Sequence, residues 1–248
     1  MLTFRGVRLF SRFSGILAVA ALCGAACFLA APDSEAKGDA RVIPLKGKKK
    51  VYGRSPGEWS AVWWQWVLSI PSAFNPLYDE TGERVEIGQS GDVWFLVGVI
   101  NESGTATRTA TIPEGKALYF PILNNILFDD GAEPRVTEEN ANSQAAIQQA
   151  GIDATSLYLE IDGVPVTGLD QWGVISPVFP LAMPDGNVFN DFFTTSRGVY
   201  FPSISNGYWV MIRPLPPGEH TIHSGGTAGS FTIEITYNLT VVRSTVAE

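Results

Sequence analysis

The stretch between Ser55 and Pro71 is rich in hydrophobic residues and contains four of the seven tryptophans of the chain. Ser55 and Glu58 have the spacing of a capping box, and Pro56 suits the first turn of a helix, where its missing N–H is not needed. Pro71 disfavours helical geometry in the residue before it. The pattern predicts one helix that is apolar around most of its circumference, so we expect the rest of the fold to pack around it.

Several shorter segments have the pattern of β-strands. The run from Val93 to Ile100 is continuously apolar, which is typical of a strand buried on both sides. Residues 105–112 alternate Thr with Ala, Arg and Ile, as in a half-exposed strand, and residues 117–122 predict another buried strand. Three segments near the C-terminus predict a meander of consecutive strands: 207–213, 219–223 and 230–242.

Residues 137–150 predict a second helix, with Thr137 as its N-cap and Gly151 at its C-cap. Asp162-Gly163 is typical of a two-residue hairpin turn between two short strands. The chain shows no internal repeat and no second domain boundary. We therefore expect residues 55–248 to form a single, mainly β domain, an antiparallel β-sandwich with two packed α-helices.

Residues 1–36 have the pattern of an export signal peptide. Arg5, Arg8 and Arg12 precede an apolar run from Gly15 to Ala31, and a suitable cleavage site ends at residue 36. After cleavage no stable membrane span is expected, and the protein is predicted to be secreted or periplasmic, in association with the cell envelope. The alternative is an uncleaved anchor, because the apolar run is near the lower length limit for a span.

Charge is divided unevenly along the chain. Basic residues crowd positions 37–54, which predicts a basic N-terminal arm or linker that is dispensable for folding. Such an arm would bind anionic envelope components or lie over the acidic body. From Ser55 onward there are seven basic and twenty-two acidic residues, a net charge of −15. Because such a body repels nucleic acid, no nucleic-acid partner is expected.

Motifs for catalysis or metal binding are sparse. Both cysteines lie within the predicted signal peptide, so the mature chain offers no thiolate nucleophile and no Cys-ligated metal. The only two histidines, His220 and His223, point to opposite faces of a strand and cannot both bind one metal without a bulge. We expect no cofactor. Asp129, Asp130 and Glu133 form an acidic loop that is a candidate for structural calcium, with solvated turn carboxylates as the alternative.

Aromatic residues outside the first helix are candidates for ligand binding, because flat rings beside amides and carboxylates suit sugars. Trp172 and Tyr208 lie among glycines and polar residues, so we expect them to be exposed, with Trp209 beside them. Tyr208 and Trp209 are adjacent on a predicted strand and must point to opposite faces. Packing in the core is the alternative for each ring. The predicted polar partners of this site are Asp170, Asn187 and Asn206.

The motifs follow one another in a specific order. Trp63-Trp64-Gln65-Trp66 is followed by Asn75-Pro76, by Asp79-x-Thr81-Gly82 and by Gly88-Gln89-x-Gly91-x-Val93-Trp94-Phe95-Leu96. This order resembles a family of exported bacterial proteins of unassigned function with a Trp-rich N-terminal helix and a GQxGxVWFL motif. The resemblance implies export and a single domain. It also implies a cysteine pair near Val85 and Ala110, which this chain lacks, and it assigns no catalytic residue.

Two functional hypotheses of different class remain open. The first is an exported, non-enzymatic protein that binds a glycan or another component of the cell envelope. The lack of a nucleophile, metal set or cofactor motif favours it. The second is an exported hydrolase or lyase that cleaves a polysaccharide with a pair of carboxylates.

Overall fold

A computed structural model describes the protein over residues 41–45, 49–191 and 195–243. This part of the chain is mainly β, with two α-helices and two packed mixed sheets, which confirms the expected fold class. The helices are α1 (Pro56–Leu68) and α2 (Ala141–Ala150). The strands are β1 (Val93–Phe95), β2 (Thr105–Pro113), β3 (Ala117–Phe128), β4 (Ile152–Ile161), β5 (Val164–Pro165), β6 (Gly173–Ile175), β7 (Phe179–Met183), β8 (Gly198–Ile212), β9 (Gly218–Ala228) and β10 (Phe231–Val242). The predicted signal peptide lies outside the described residues.

The ten strands form two five-stranded sheets. Sheet I has the order β1-β3-β8-β6, and β7 also pairs with β8. Sheet II has the order β2-β10-β9-β4-β5. Most pairs are antiparallel, but β1 with β3 and β2 with β10 are parallel, so both sheets are mixed. A parallel pair cannot be closed by a tight turn, so each of these two pairs needs a long connection.

Apolar layers lie on both faces of sheet I. Between the sheets, Phe120 and Val210 of sheet I belong to the same core as Ile222 of sheet II. On the other face of sheet I, α1 shares a second core with Tyr119 and Trp209. The layers are therefore α1, sheet I and sheet II in that order, and the outer face of sheet II carries exposed positions on each long strand.

The capping box that the sequence predicts at the start of α1 is present. Ser55 Oγ accepts a bond from Glu58 N at 3.3 Å, and the Glu58 carboxylate accepts one from Ser55 N at 2.7 Å. Trp63 is 1% exposed, and its indole N–H donates to Leu96 O at 2.9 Å. Its ring also meets Trp209 edge to face, with centroids 5.4 Å apart. The expected burial of α1 is confirmed.

Polar side chains of the motifs that follow α1 hold irregular chain in place. Asn75 is fully buried and donates to two carbonyls at the C-terminal end of α1. Asp79 accepts three backbone N–H bonds from the turn that follows it. Gln89 both donates to the carbonyl of Phe95 and accepts from its N–H. These side chains satisfy backbone groups where no helix or sheet does so.

The alternation in β2 places Arg108 on the buried face, where the side chain has no exposed surface. Its five N–H groups donate to the hydroxyl of Tyr237 and to the carbonyls of Pro76, Asp79, Val97 and Gly98. This contact explains why the predicted strand at 93–100 forms only as the three residues of β1. Beyond Phe95 the chain stays buried, but its backbone bonds to side chains such as Arg108 as well as to strands.

The predicted C-terminal meander is wrong, because its first strand lies in the other sheet. β8 pairs with β3, β6 and β7, whereas β9 pairs with β10 and β4. The connection at 213–217 contains three prolines, which lack the N–H that a sheet ladder requires. It carries the chain from sheet I to sheet II. The hairpin of β9 and β10 is present. Ile233, Ile235 and Tyr237 share the buried face of β10, whereas Phe231, which the alternation also predicts on that face, is 41% exposed.

The second helix ends at Ala150 with Gly151 as its C-cap, as predicted, but begins later than expected. Thr137 N donates to Asn140 Oδ1 at 2.8 Å, and Thr137 Oγ1 accepts from Asn140 N at 3.3 Å. These reciprocal bonds hold residues 138–140 in a turn, and α2 begins at Ala141. The Thr137 hydroxyl, which was expected to cap the helix, instead accepts the bond that stabilises this turn.

Residues 41–45 pack on the domain. Val42 forms a β-bridge with Ile212, and Ile43 N donates to Met211 O at 2.8 Å. Val42 and Leu45 are both buried. The charge pattern predicts an arm that is dispensable for folding, whereas residues 41–45 contact the domain. They do so because the segment carries apolar side chains that become buried and a backbone that pairs with the end of β8.

We expect Trp63→Ala to lower the free energy of unfolding by about 3–5 kcal/mol, because it leaves a cavity in the core around α1. Gln65→Ala is the matched control, since the Gln65 side chain makes only an exposed bond to Pro180 O. Its expected cost is under about 1 kcal/mol. Denaturant unfolding of the two variants measures both values, and equal losses would contradict the central position of Trp63 in the core.

Candidate functional site

The three rings predicted to bind a ligand are buried. Trp172 and Tyr208 are each 8% exposed and Trp209 is fully enclosed, so the exposure that we expected is not found. Tyr208 belongs to the core between the sheets, whereas Trp209 belongs to the core around α1. The two adjacent residues therefore point to opposite faces of β8, as their spacing predicts. All three rings serve as core packing.

The predicted polar partners do not gather around those rings. Asn187 is fully buried and bonds to main-chain atoms of residues 184, 189 and 195. Asn206 is also fully buried, accepts from Asn125 and donates to Gln148 of α2. Both amides are thus used in holding the fold. Asp170 is exposed on a short turn after β5.

The acidic loop considered for calcium is organised by an arginine. Both oxygens of Asp129 accept bonds from the guanidinium of Arg135. Asp130 and Glu133 accept backbone N–H bonds within the same loop. In the part of the chain that the structure describes, no group of three or more His, Cys, Asp or Glu side chains is placed to hold a metal ion.

A continuous polar surface covers the outer side of sheet II, and we term it the polar sheet face. Its residues alternate with core residues along four neighbouring strands. They are Thr105, Thr107, Thr109 and Thr111 of β2; Glu234, Thr236, Asn238 and Thr240 of β10; Glu219, Thr221 and His223 of β9; and Tyr158 and Glu160 of β4. The alternation in β2 and β10 is visible in the sequence, but their parallel pairing is not.

His223 lies between two carboxylates at the centre of this face. Its Nε2 is 3.0 Å from Glu234 Oε1, and its Nδ1 is 4.0 Å from Glu160 Oε2. The ring of Tyr158 meets the imidazole at an angle, with centroids 5.0 Å apart. These contacts orient the imidazole while 33% of the side chain stays exposed. The odd spacing of His220 and His223 predicts that they point apart, but nothing in the sequence around His223 identifies it as a site residue.

A shallow depression of about 360 Å³ opens beside His223. It is lined by Glu160, Asp162, Gly163, Thr221, His223 and Thr236. This volume is at the lower end of the range for small-molecule sites, and the lining residues contribute hydroxyl, imidazole and carboxylate groups beside apolar surface. The depression can therefore bind a hydroxylated group at the surface of the protein.

Asp162 closes one side of the depression and joins three parts of the chain. It begins the predicted two-residue turn, with φ of 52° at Asp162 and 73° at Gly163. Its carboxylate accepts from Arg41 Nη1 and from Thr221 N, each at 2.8 Å, and lies 3.0 Å from His220 Nδ1. Partial burial acts to raise the pKa of Asp162, but these bonds and charges outweigh it and place the pKa below its usual value.

The charges around His223 give the polar sheet face a negative character. Burial and the nearby carboxylates of Glu234 and Glu160 raise the pKa of Tyr158 to about 12, so the phenol is a hydrogen-bond donor at neutral pH. The same carboxylates repel anions. The face therefore suits an uncharged, hydroxylated ligand better than an anionic one.

Comparisons with known proteins assign no family to the chain. No family model matches it, and no curated protein matches it. Among solved structures, the cysteine protease inhibitor EhICP2 from Entamoeba histolytica is similar over 60% of this chain and 96% of its own, with 15% identity and a TM-score of 0.21. Amebosin is similar over 54% of this chain and 95% of its own, with 12% identity and a TM-score of 0.16. Similarities this weak carry no argument about function.

We expect Asp162→Asn to make the stability of the protein less dependent on pH in acid. The folded-state pKa of Asp162 is lowered, so its ionised form stabilises the fold above the unfolded-state pKa. That contribution is lost as pH falls through the folded-state value. Denaturant midpoints of the wild type should thus fall more steeply than those of the variant below about pH 4.

The control for this experiment is Asp170→Asn, because Asp170 is an exposed aspartate outside the depression. It should keep the pH profile of the wild type. Superimposable profiles for the wild type and Asp162→Asn would contradict the role of the Asp162 carboxylate.

Proposed function

We propose that this chain is an exported, non-enzymatic binding protein for an uncharged glycan of the cell envelope, with the polar sheet face as its binding surface. The observation that supports it best is the oriented imidazole of His223 beside an open depression lined by hydroxyl and carboxylate groups. Sugar hydroxyls both donate and accept hydrogen bonds. The carboxylates of the face accept, the threonine hydroxyls do both, and the phenol of Tyr158 donates.

The position of the site revises the aromatic site that the sequence predicts. Stacking on Trp172 or Tyr208 would require a large rearrangement, because both rings lie in the core between the sheets. The polar sheet face needs no such change, since its side chains already face solvent. Ligands therefore bind to it mainly through hydrogen bonds, with Tyr158 as the aromatic residue of the face.

The proposal of export rests on the N-terminal sequence. The pattern of residues 1–36 is typical of a signal peptide, and the mature part of the chain has no cysteine. Neither helix in the described ranges is long and apolar enough to cross a membrane. The secreted or periplasmic location, like the resemblance to exported bacterial proteins, stays a prediction.

Glu160 and Glu234 favour a second candidate, an exported hydrolase or lyase that acts on a polysaccharide. The two carboxylates flank one imidazole on an open surface. A glycosidase uses two carboxyl groups on either side of the bond that it cleaves. Release of reducing ends from a bound polysaccharide would support this candidate over simple binding.

We expect the protein to bind immobilised neutral polysaccharides in moderate salt, since hydrogen bonding does not depend on a charge on the ligand. His223→Ala should weaken binding about tenfold, which equals about 1.4 kcal/mol. Thr236→Val, which removes one hydroxyl, should weaken it by about 0.5–1.5 kcal/mol. Glycan arrays followed by calorimetric titration of the positive sugars measure these effects.

Asn142→Ala, an exposed change on α2, is the matched control and should bind like the wild type. Unchanged affinity in His223→Ala would remove the polar sheet face from the proposal. Binding only to anionic polymers, lost in moderate salt, would instead indicate capture by the basic N-terminal segment.

A further inference from the structure

A row of four threonines extends the polar sheet face beyond the depression. Thr105, Thr107, Thr109 and Thr111 are all exposed on β2 and alternate with four buried residues. Within the described chain, Thr107, Thr109 and Thr111 have no side-chain hydrogen bond to another residue. Three hydroxyls in a row are therefore available to a ligand along the edge of sheet II.

The neighbouring strand continues this row in a second dimension. Thr107 is opposite Thr236 and Thr111 is opposite Thr240 in the parallel pair of β2 and β10. Asn238 is opposite Thr109 in the same register. Side chains on one face of a sheet repeat about every 6.7 Å along a strand and about every 4.8 Å between strands. The two strands thus present a two-dimensional grid of hydrogen-bonding groups.

The grid is held rigidly from below. Between Thr107 and Thr109, the buried side of β2 carries Arg108, whose guanidinium bonds reach both the irregular chain and Tyr237 of β10. Threonine is also restricted about its first side-chain torsion, because it is branched at Cβ. The threonine side chains therefore have few conformations to lose when a ligand binds, which lowers the entropic cost of binding.

We propose that the polar sheet face adsorbs to the surface of an ordered, uncharged polysaccharide, in which hydroxyl groups also repeat. This inference rests on the proposed function and specifies its ligand. The four exposed positions of β2 carry no charge, and the carboxylates of Glu234, Glu219 and Glu160 on the neighbouring strands repel anionic polymers, so the face suits an uncharged polymer surface better than an anionic one. The threonines of β2 lie outside the depression, so a polymer surface that covers the sheet contacts more of the row than a single sugar in the depression does.

The test compares ordered and soluble forms of the same sugars. Microcrystalline cellulose and crystalline chitin serve as ordered probes, with their soluble oligosaccharides as the disordered counterparts. The wild type should sediment with one of the ordered probes and bind its oligosaccharides at least tenfold more weakly. The triple variant Thr107→Val, Thr109→Val, Thr111→Val should lose at least tenfold in affinity for the ordered probe.

Valine keeps the shape and branching of threonine at exposed positions, so the triple variant is expected to fold, and its thermal melting curve verifies this. Thr167→Val, an exposed change in the connection after β5, is the matched control and should bind like the wild type.

Three results would overturn the inference, and they differ in what they say of the proposed function. In the first, the protein binds soluble oligosaccharides as tightly as the ordered probe, and His223→Ala loses this binding while the triple variant keeps it. This result would leave the glycan-binding function in place but would contradict the preference for an ordered polysaccharide. Absence of binding to every sugar would remove both. Threonine-dependent inhibition of ice growth without sugar binding would also remove both and identify ice as the ordered surface.

Discussion

Arg108 forms a complete set of hydrogen bonds inside the protein, and much of the fold depends on it. A buried guanidinium is costly unless each N–H is bonded, and here all five are, to four carbonyls and one hydroxyl. The carbonyls come from chain that belongs to no sheet, so the arginine replaces the partners that strands would supply. It also joins β2 to β10 through Tyr237, which stabilises the parallel pair at the edge of sheet II.

This buried contact and the candidate surface are two sides of the same strands. Because side chains alternate along β2, an arginine fixed on the inner face keeps Thr107 and Thr109 on the outer face. A slip of one residue in register would expose Arg108 and bury the threonines. The core around α1 also contacts this arginine, because Val97, a member of that core, accepts a bond from Arg108 through its carbonyl. The polar sheet face is thus positioned by the inner side of sheet II.

Features set by local chemistry could be predicted from the sequence, whereas features set by distant contacts could not. The capping box of α1, the Asp162-Gly163 turn and the alternation in β10 each depend on a few neighbouring residues. The sheet to which β8 belongs depends on pairing with β3, far away in the chain. Trp172 has polar neighbours in the sequence, which predict an exposed ring. The ring is instead buried in the core between the sheets by residues that are far away in the chain. The site at His223 was missed because Glu160 and Glu234 meet it only across strands.

Hydroxyl-radical footprinting of the protein bound to the polysaccharide that it adsorbs to shows directly whether the polar sheet face contacts the ligand. Tyr158 and His223 report on the polar sheet face, while Phe74 and Phe201 are exposed aromatic residues that lie outside it. We expect bound polymer to protect Tyr158 and His223 from oxidation and to leave both phenylalanines reactive. Protection of Phe74 or Phe201, with Tyr158 and His223 unchanged, would show that the ligand binds elsewhere and would contradict the account.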